Sequence, residues 1–165
     1  ESVLHWHASP NTLRDRLTRV VERAPEVMVK VTGRTRDPAH LRAHLDYVTR
    51  NGDLAMEGSE GWLLDRTAVR DLGDEWSAAA LADGRRRANT PFSLSLVLSM
   101  PETTDPAAVR DSARRFATEA FGGRFDFGFV LHTDEPHPHV HVTVRCLSYD
   151  GDRLKIGRAS CRQRV

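Results

Sequence analysis

His132-Thr133-Asp134-Glu135-Pro136-His137-Pro138-His139-Val140-His141 holds four of the chain's eight histidines within ten residues. The run closes one apolar stretch, Phe125–His132, and opens another, His137–Leu147, with an acidic, proline-bearing turn between them. It reads as two strands joined by a tight turn. Side chains at i and i+2 of a strand share a face. His139 and His141 therefore project together, while Val140, Val142 and Val144 project into the core. His132 sits across the turn on the preceding strand and can close a three-imidazole site. Three neutral imidazoles suit a divalent transition metal and leave coordination positions free for a substrate. The competing readings are a His-rich surface strand and a purely structural zinc site. Four histidines in this order weigh against both.

Outward from the hairpin, helical and extended periodicities alternate. Leu13, Leu17, Val20, Val21 and Ala24 recur at helical spacing over residues 10–24, with Ser9 as cap and Pro10 at the first helical position. Val27 to Val31 reads as a strand closed by Gly33. Asp37-Pro38 starts a helix that runs to about Arg50, where Asn51-Gly52 is a stop signal. A short hairpin-like stretch through Trp62-Leu63-Leu64 precedes a helix over 67–82, capped by Thr67. Phe92 to Ser99 alternates Leu94, Leu96 and Leu98 against Ser93, Ser95 and Ser99, the period of a half-buried strand. Asp105-Pro106 opens a last helix to Phe121, ended by Gly122-Gly123. The expectation is an α+β domain: a largely antiparallel central sheet with helices packed against it.

Composition narrows the class but not the partner. The chain has 165 residues and 39% hydrophobic content, enough for one domain with a real core. No stretch approaches the ~18 apolar residues of a membrane span, and no basic-then-apolar signal segment opens the chain. Two cysteines, Cys146 and Cys161, exclude a disulfide scaffold and a four-cysteine zinc site, and point to a reducing cytoplasm. Net charge is +1, and all cations but Lys30 and Lys155 are arginines. The last ten residues, Ile156 to Val165, closely resemble a translated sequencing-adapter sequence. They read as a non-native tail on a truncated gene. Removing their three arginines leaves 21 basic against 23 acidic residues.

At the histidine strand the sequence resembles a known family. H-x-D-x-x-H-P-H-x-H followed by apolar alternation is similar to the third motif of mobilisation relaxases of the HUH endonuclease superfamily. The nearest likeness is to P-type plasmid relaxases and the border-nicking endonuclease of tumour-inducing plasmids. Leu45-Asp46-Tyr47-Val48-Thr49-Arg50-Asn51-Gly52 resembles the family's first motif, whose Tyr is the nucleophile. Leu98-Ser99-Met100-Pro101 resembles the second, a strand-ending Ser beside the DNA. The likeness covers residues 27–156.

The resemblance implies a division of the chain into an N-terminal helical extension (1–25), a C-terminally truncated mobilisation nuclease domain (26–155) and the tail (156–165). It makes His132, His139 and His141 the ligands of a divalent metal, Mg²⁺ or Mn²⁺ first and Zn²⁺ also open. Tyr47 becomes the attacking hydroxyl. His137 supports the ligands or faces DNA rather than binding the metal. Asp134 and Glu135, in the turn, are candidates to orient a ligand or join the metal. Arg50, Ser99 and Arg145 are candidate DNA contacts; some relatives carry Asn where this chain has Arg145, and Arg suits a phosphate equally well. Further arginines, among them Arg34, Arg36, Arg42 and the Arg85-Arg86-Arg87 run, are available to a DNA groove or to plain solvated surface.

The implied activity is site- and strand-specific nicking of single-stranded DNA at a plasmid transfer origin, for conjugative mobilisation. It proceeds through a 5′-phosphotyrosine link that keeps the phosphoester energy for rejoining. Accessory relaxosome proteins are the implied partners. Two other readings stay open. One is a rolling-circle replication initiator or transposase of the same superfamily, against which stands a Tyr upstream of the His motif. The other is a non-catalytic, metal-stabilised DNA-binding module. A His-metal oxygenase or cupin fits the motif order poorly.

Overall fold

The computed structural model describes residues 28–155 together with Leu13 and Leu17. In chain order the elements are β1 (Met28–Thr35), α1 (Pro38–Val48), β2 (Met56–Gly58), β3 (Leu63–Leu64), α2 (Arg66–Ala82), β4 (Ser93–Ser99), α3 (Pro106–Phe121), β5 (Phe127–His132) and β6 (His139–Arg145). The six strands form one sheet in the order β1-β4-β6-β5-β2-β3. Neighbouring strands are antiparallel throughout. This is the α+β architecture that the alternating periodicities imply. The helix expected over 10–24 lies outside the described residues apart from Leu13 and Leu17, which are helical and buried. The proposed tail at 156–165 lies outside them as well.

The pleat divides the side chains between two cores. On one face Leu94, Leu96 and Leu98 of β4, Val140, Val142 and Val144 of β6, and Phe127 and Phe129 of β5 pack under α3 and under Leu13 and Leu17. On the other face Leu41, Leu45 and Val48 of α1 and Val69 and Trp76 of α2 pack with Met56, Phe92 and Val130. Helices α1 and α2 approach closely because residue 73 is glycine. A Cβ there would stand 2.8 Å from the Leu45 Cδ1 atom.

Three local expectations are corrected. Helix α2 starts at Arg66, and its cap is Asp65, whose carboxylate accepts from the Ala68 amide at 2.9 Å; Thr67 is already inside the helix. Helix α1 ends at Val48, two residues before Arg50. Arg50 and Asn51 take left-handed backbone at φ 52° and 55°, ahead of Gly52 at φ 93°. Strand β4 is not half-buried: Ser93 and Ser95 are buried too. Their hydroxyls are both satisfied, Ser93 within the sheet by Thr35 Oγ1 of β1 at 2.6 Å and Ser95 from the covering side by the ring of His44 on α1 at 3.1 Å. Ser95 and its register partner Thr143 therefore form a polar floor beneath α1, where alternation alone reads as a wet face.

Candidate metal and nucleophile site

The site lies where the covered face of the sheet meets the end of α1. Register alone assembles its floor. His132 on β5 is directly opposite His139 on β6, and Val130 is opposite His141. On the other flank Ser99 is opposite His139, and Val97 is opposite His141. His132, His139, His141 and Ser99 therefore share one face and one end of the sheet. The potential ligand atoms of the three imidazoles all fall within 4.8 Å of one another.

Hydrogen bonds fix which nitrogens are free. His132 Nε2 is 2.7 Å from the carbonyl oxygen of Val48, so that nitrogen carries the proton and Nδ1 keeps its lone pair. His139 Nδ1 is 3.1 Å from the carbonyl oxygen of His137, so it donates, and Nε2 is left free. A ligand imidazole that gives its other N–H to a carbonyl is the arrangement metal sites use to orient the ring and raise its basicity. Burial, with the neighbouring His132 and His139 rings, lowers the pKa of His141 to about 4, so this third ring is neutral at neutral pH. Three imidazoles, two of them with one ring nitrogen turned to a carbonyl and the other left free, fit a divalent transition-metal ion.

Tyr47 stands beside this cluster. Its ring centroid is 6.2 Å from that of His141, the two rings meeting edge to face. The residue is 64% exposed although it belongs to a packed helix. Helical geometry explains the combination. Leu41, Leu45 and Val48 turn inward, and Tyr47 lies off that stripe, over the histidines rather than in the core.

Arg50 joins the site through its left-handed backbone. Its Nη2 lies 3.4 Å from His132 Nδ1 and 2.5 Å from Asp134 Oδ2. Asp134 therefore reaches the histidines through a guanidinium and not directly. Holding a non-glycine residue in this region costs on the order of 1 kcal/mol, a strain typical of functional positions. Glu135 and the His137 side chain are exposed in the turn, and His137 contributes its carbonyl instead.

Arg145 is placed elsewhere. It lies four residues beyond His141 on β6, roughly 13 Å along the strand. It is 7% exposed, donates to the Leu147 carbonyl at 2.7 Å and lies over the Tyr149 ring. Of the other arginines, Arg42 pairs with Asp74, Arg85 with Asp83, and Arg86 donates to the Arg36 carbonyl.

Sequence reading passed over two contributors. One is the Val48 carbonyl, invisible because backbone atoms carry no residue signature. The other is His44, 2.9 Å from Thr143 Oγ1 and 3.1 Å from Ser95 Oγ, whose pKa burial lowers to about 4. Its spacing of three residues from Tyr47 was the available signal.

Against this geometry stand the comparisons with known proteins. The family model "Relaxase: MobA/VirD2-like, nuclease domain" matches residues 47–164. T-DNA border endonuclease VirD2 of Rhizobium radiobacter is 25% identical over 173 residues, covering 85% of this chain and 40% of that protein. VirD2 of Agrobacterium fabrum is 24% identical, covering 85% of this chain and 38% of the relative. VirD2 of Rhizobium rhizogenes is 25% identical over 135 residues, or 72% of this chain and 30% of the relative. The chain thus spans two fifths or less of the length of these curated relatives.

Proposed function

Because the chain belongs to the family of MobA/VirD2-like relaxase nuclease domains, we propose that it nicks single-stranded DNA at a transfer origin and holds the cut strand on Tyr47. The observation that carries this reading is the placement of an exposed phenol 6.2 Å, ring to ring, from one of three clustered imidazoles. The border-nicking relatives support the choice of DNA as substrate.

In this reading the Tyr47 oxygen attacks the scissile phosphorus, forming a 5′-phosphotyrosine and releasing a free 3′-hydroxyl. The Tyr–O–P bond forms as the P–O3′ bond breaks, and the phenolic proton passes to solvent or a neighbouring base. The energy of the phosphodiester is kept, so the strand can be rejoined or transferred. His132 Nδ1, His139 Nε2 and the His141 ring would hold a divalent ion, Mg²⁺ or Mn²⁺, which when bound supplies Lewis acidity to a non-bridging phosphate oxygen. Arg50 offers its guanidinium to the same phosphate, and Ser99 a hydroxyl beside His139. Accessory proteins that open the duplex at the origin complete the scheme.

The test is covalent capture. The chain is incubated with Mn²⁺ and a pool of single-stranded oligonucleotides of randomised sequence, then digested with trypsin and analysed by mass spectrometry. A nucleotide adduct on the Tyr47 peptide is expected, and sequencing of the captured strands gives the nick site. An adduct on another residue, or none with any sequence, overturns the proposal.

A further inference from the structure

Helix α1 meets the sheet at three successive points. His44 lies against Thr143 and Ser95, at 2.9 and 3.1 Å. Tyr47 lies against His141. The Val48 carbonyl accepts from His132. These contacts step in one sense: as the helix advances from 44 to 47, the strand beneath it runs back from 143 to 141. Three helical residues advance about 4.5 Å and two strand residues about 6.8 Å, steps of the same order along a shared direction.

The first contact differs from the others in kind. Thr143 and Ser95 are register partners on β6 and β4, both buried, and both on the face that carries His141 and His139. They form a polar floor into which the His44 ring is set. Leucines can slide over an apolar floor with little penalty, because dispersion has no direction. A ring nitrogen seated between two buried hydroxyls has one satisfied position, and moving it leaves buried polar groups unpaired.

We infer that His44 is a positioning residue: it fixes the axial register of α1 on the sheet and thereby the station of Tyr47 above the metal-binding histidines. The inference rests on the nicking function proposed above. A displacement of about 1 Å at the reacting atoms can cost a hundredfold in rate, so the effect falls on the chemical step rather than on DNA or metal binding.

The experiment compares wild type, H44A, H44Q and the double variant S95A/T143V, using the Mn²⁺ form and the oligonucleotide enriched from the randomised pool. The readouts are the single-turnover rate of adduct formation, the affinity for the oligonucleotide, and the affinity for Mn²⁺. H44A is expected to slow adduct formation about 10- to 100-fold with both affinities retained. H44Q, whose amide reaches the same hydroxyls, is expected to recover most of the loss. Loss of rate and of Mn²⁺ affinity in parallel overturns the inference, as does a wild-type rate in folded H44A. Should H44A fail to fold, S95A/T143V keeps every imidazole, and a wild-type rate in that variant overturns the inference. Absence of any adduct in wild type refutes the nicking reading instead, so the two failures are distinct.

Discussion

The Nε2 atom of His132 lies 2.7 Å from the carbonyl oxygen of Val48, the last residue of α1. The last carbonyls of a helix have no partner within it, and here an imidazole N–H from the sheet takes one up. The same bond sets the tautomer of a candidate metal ligand and anchors the helix turn that carries the candidate nucleophile. A disturbance of either group is therefore felt by the other.

The first prediction concerns the phenol. Y47F abolishes the nucleotide adduct, and the thermal shift induced by Mn²⁺ is unchanged, since the Tyr47 hydroxyl is no ligand in this scheme. Adduct mass spectrometry and a melting series with and without Mn²⁺ check both halves.

Metal binding should register as stability. Mn²⁺ at a hundred times its dissociation constant raises the unfolding free energy by about 2.7 kcal/mol. H139A and H141A remove that increment and the nicking, and chelation by EDTA reverses it in wild type. A wild-type increment in either variant would exclude these residues as ligands.

Acid should destabilise the metal-free protein through His44. Its pKa is lowered from 6.5 to about 4 in the folded chain, chiefly by burial. Between those values the unfolded state takes up a proton that the folded state refuses, so stability falls as pH drops below 6.5 and levels off near 4. The share due to His44 is on the order of 3 kcal/mol, and His141, likewise lowered to about 4, adds to the loss over the same window. Urea titrations at stepped pH measure it, and H44Q should flatten the slope in that window by a comparable amount.

Arg50 poses a trade between stability and activity. Its left-handed backbone costs on the order of 1 kcal/mol, whereas its ion pair with half-exposed Asp134 returns ~0–1 kcal/mol. R50G should therefore be no less stable than wild type in denaturant titration, yet it should nick more slowly. A marked drop in its unfolding midpoint would contradict this account.

Much of the arrangement was legible from residue order. The period of two at Val140, Val142 and Val144 assigns His139 and His141 to a shared face without reference to any fold, and strand pairing then brings in His132. The helix stripe Leu41, Leu45, Val48 likewise leaves Tyr47 outside the core. Period fails where both faces are covered. Ser93 and Ser95 read as wet because nothing in the sequence announces that Thr35 of β1 meets the first and α1 covers the second, and His44 is silent for the same reason. Arg145 stands apart: distance along a strand separates it from the histidines, and motif spacing conveys order rather than reach. The helix stop at Asn51-Gly52 was visible, but not that Arg50 would share the left-handed turn and so point back at His132.

The two strands that supply the imidazoles are interior to the sheet, each bonded on both sides: β6 between β4 and β5, β5 between β6 and β2. Amide hydrogens of Val130, Val140 and Val142 should thus exchange with deuterium only when the whole domain opens, while those of the turn after α1 exchange through local fraying. The cation cage is accordingly carried by the slowest-exchanging part of the molecule, and the tyrosine by a helix packed over it whose outer face is open to solvent. A protein built this way can take a strand at its exposed nucleophile without ever dismantling the cage beside it.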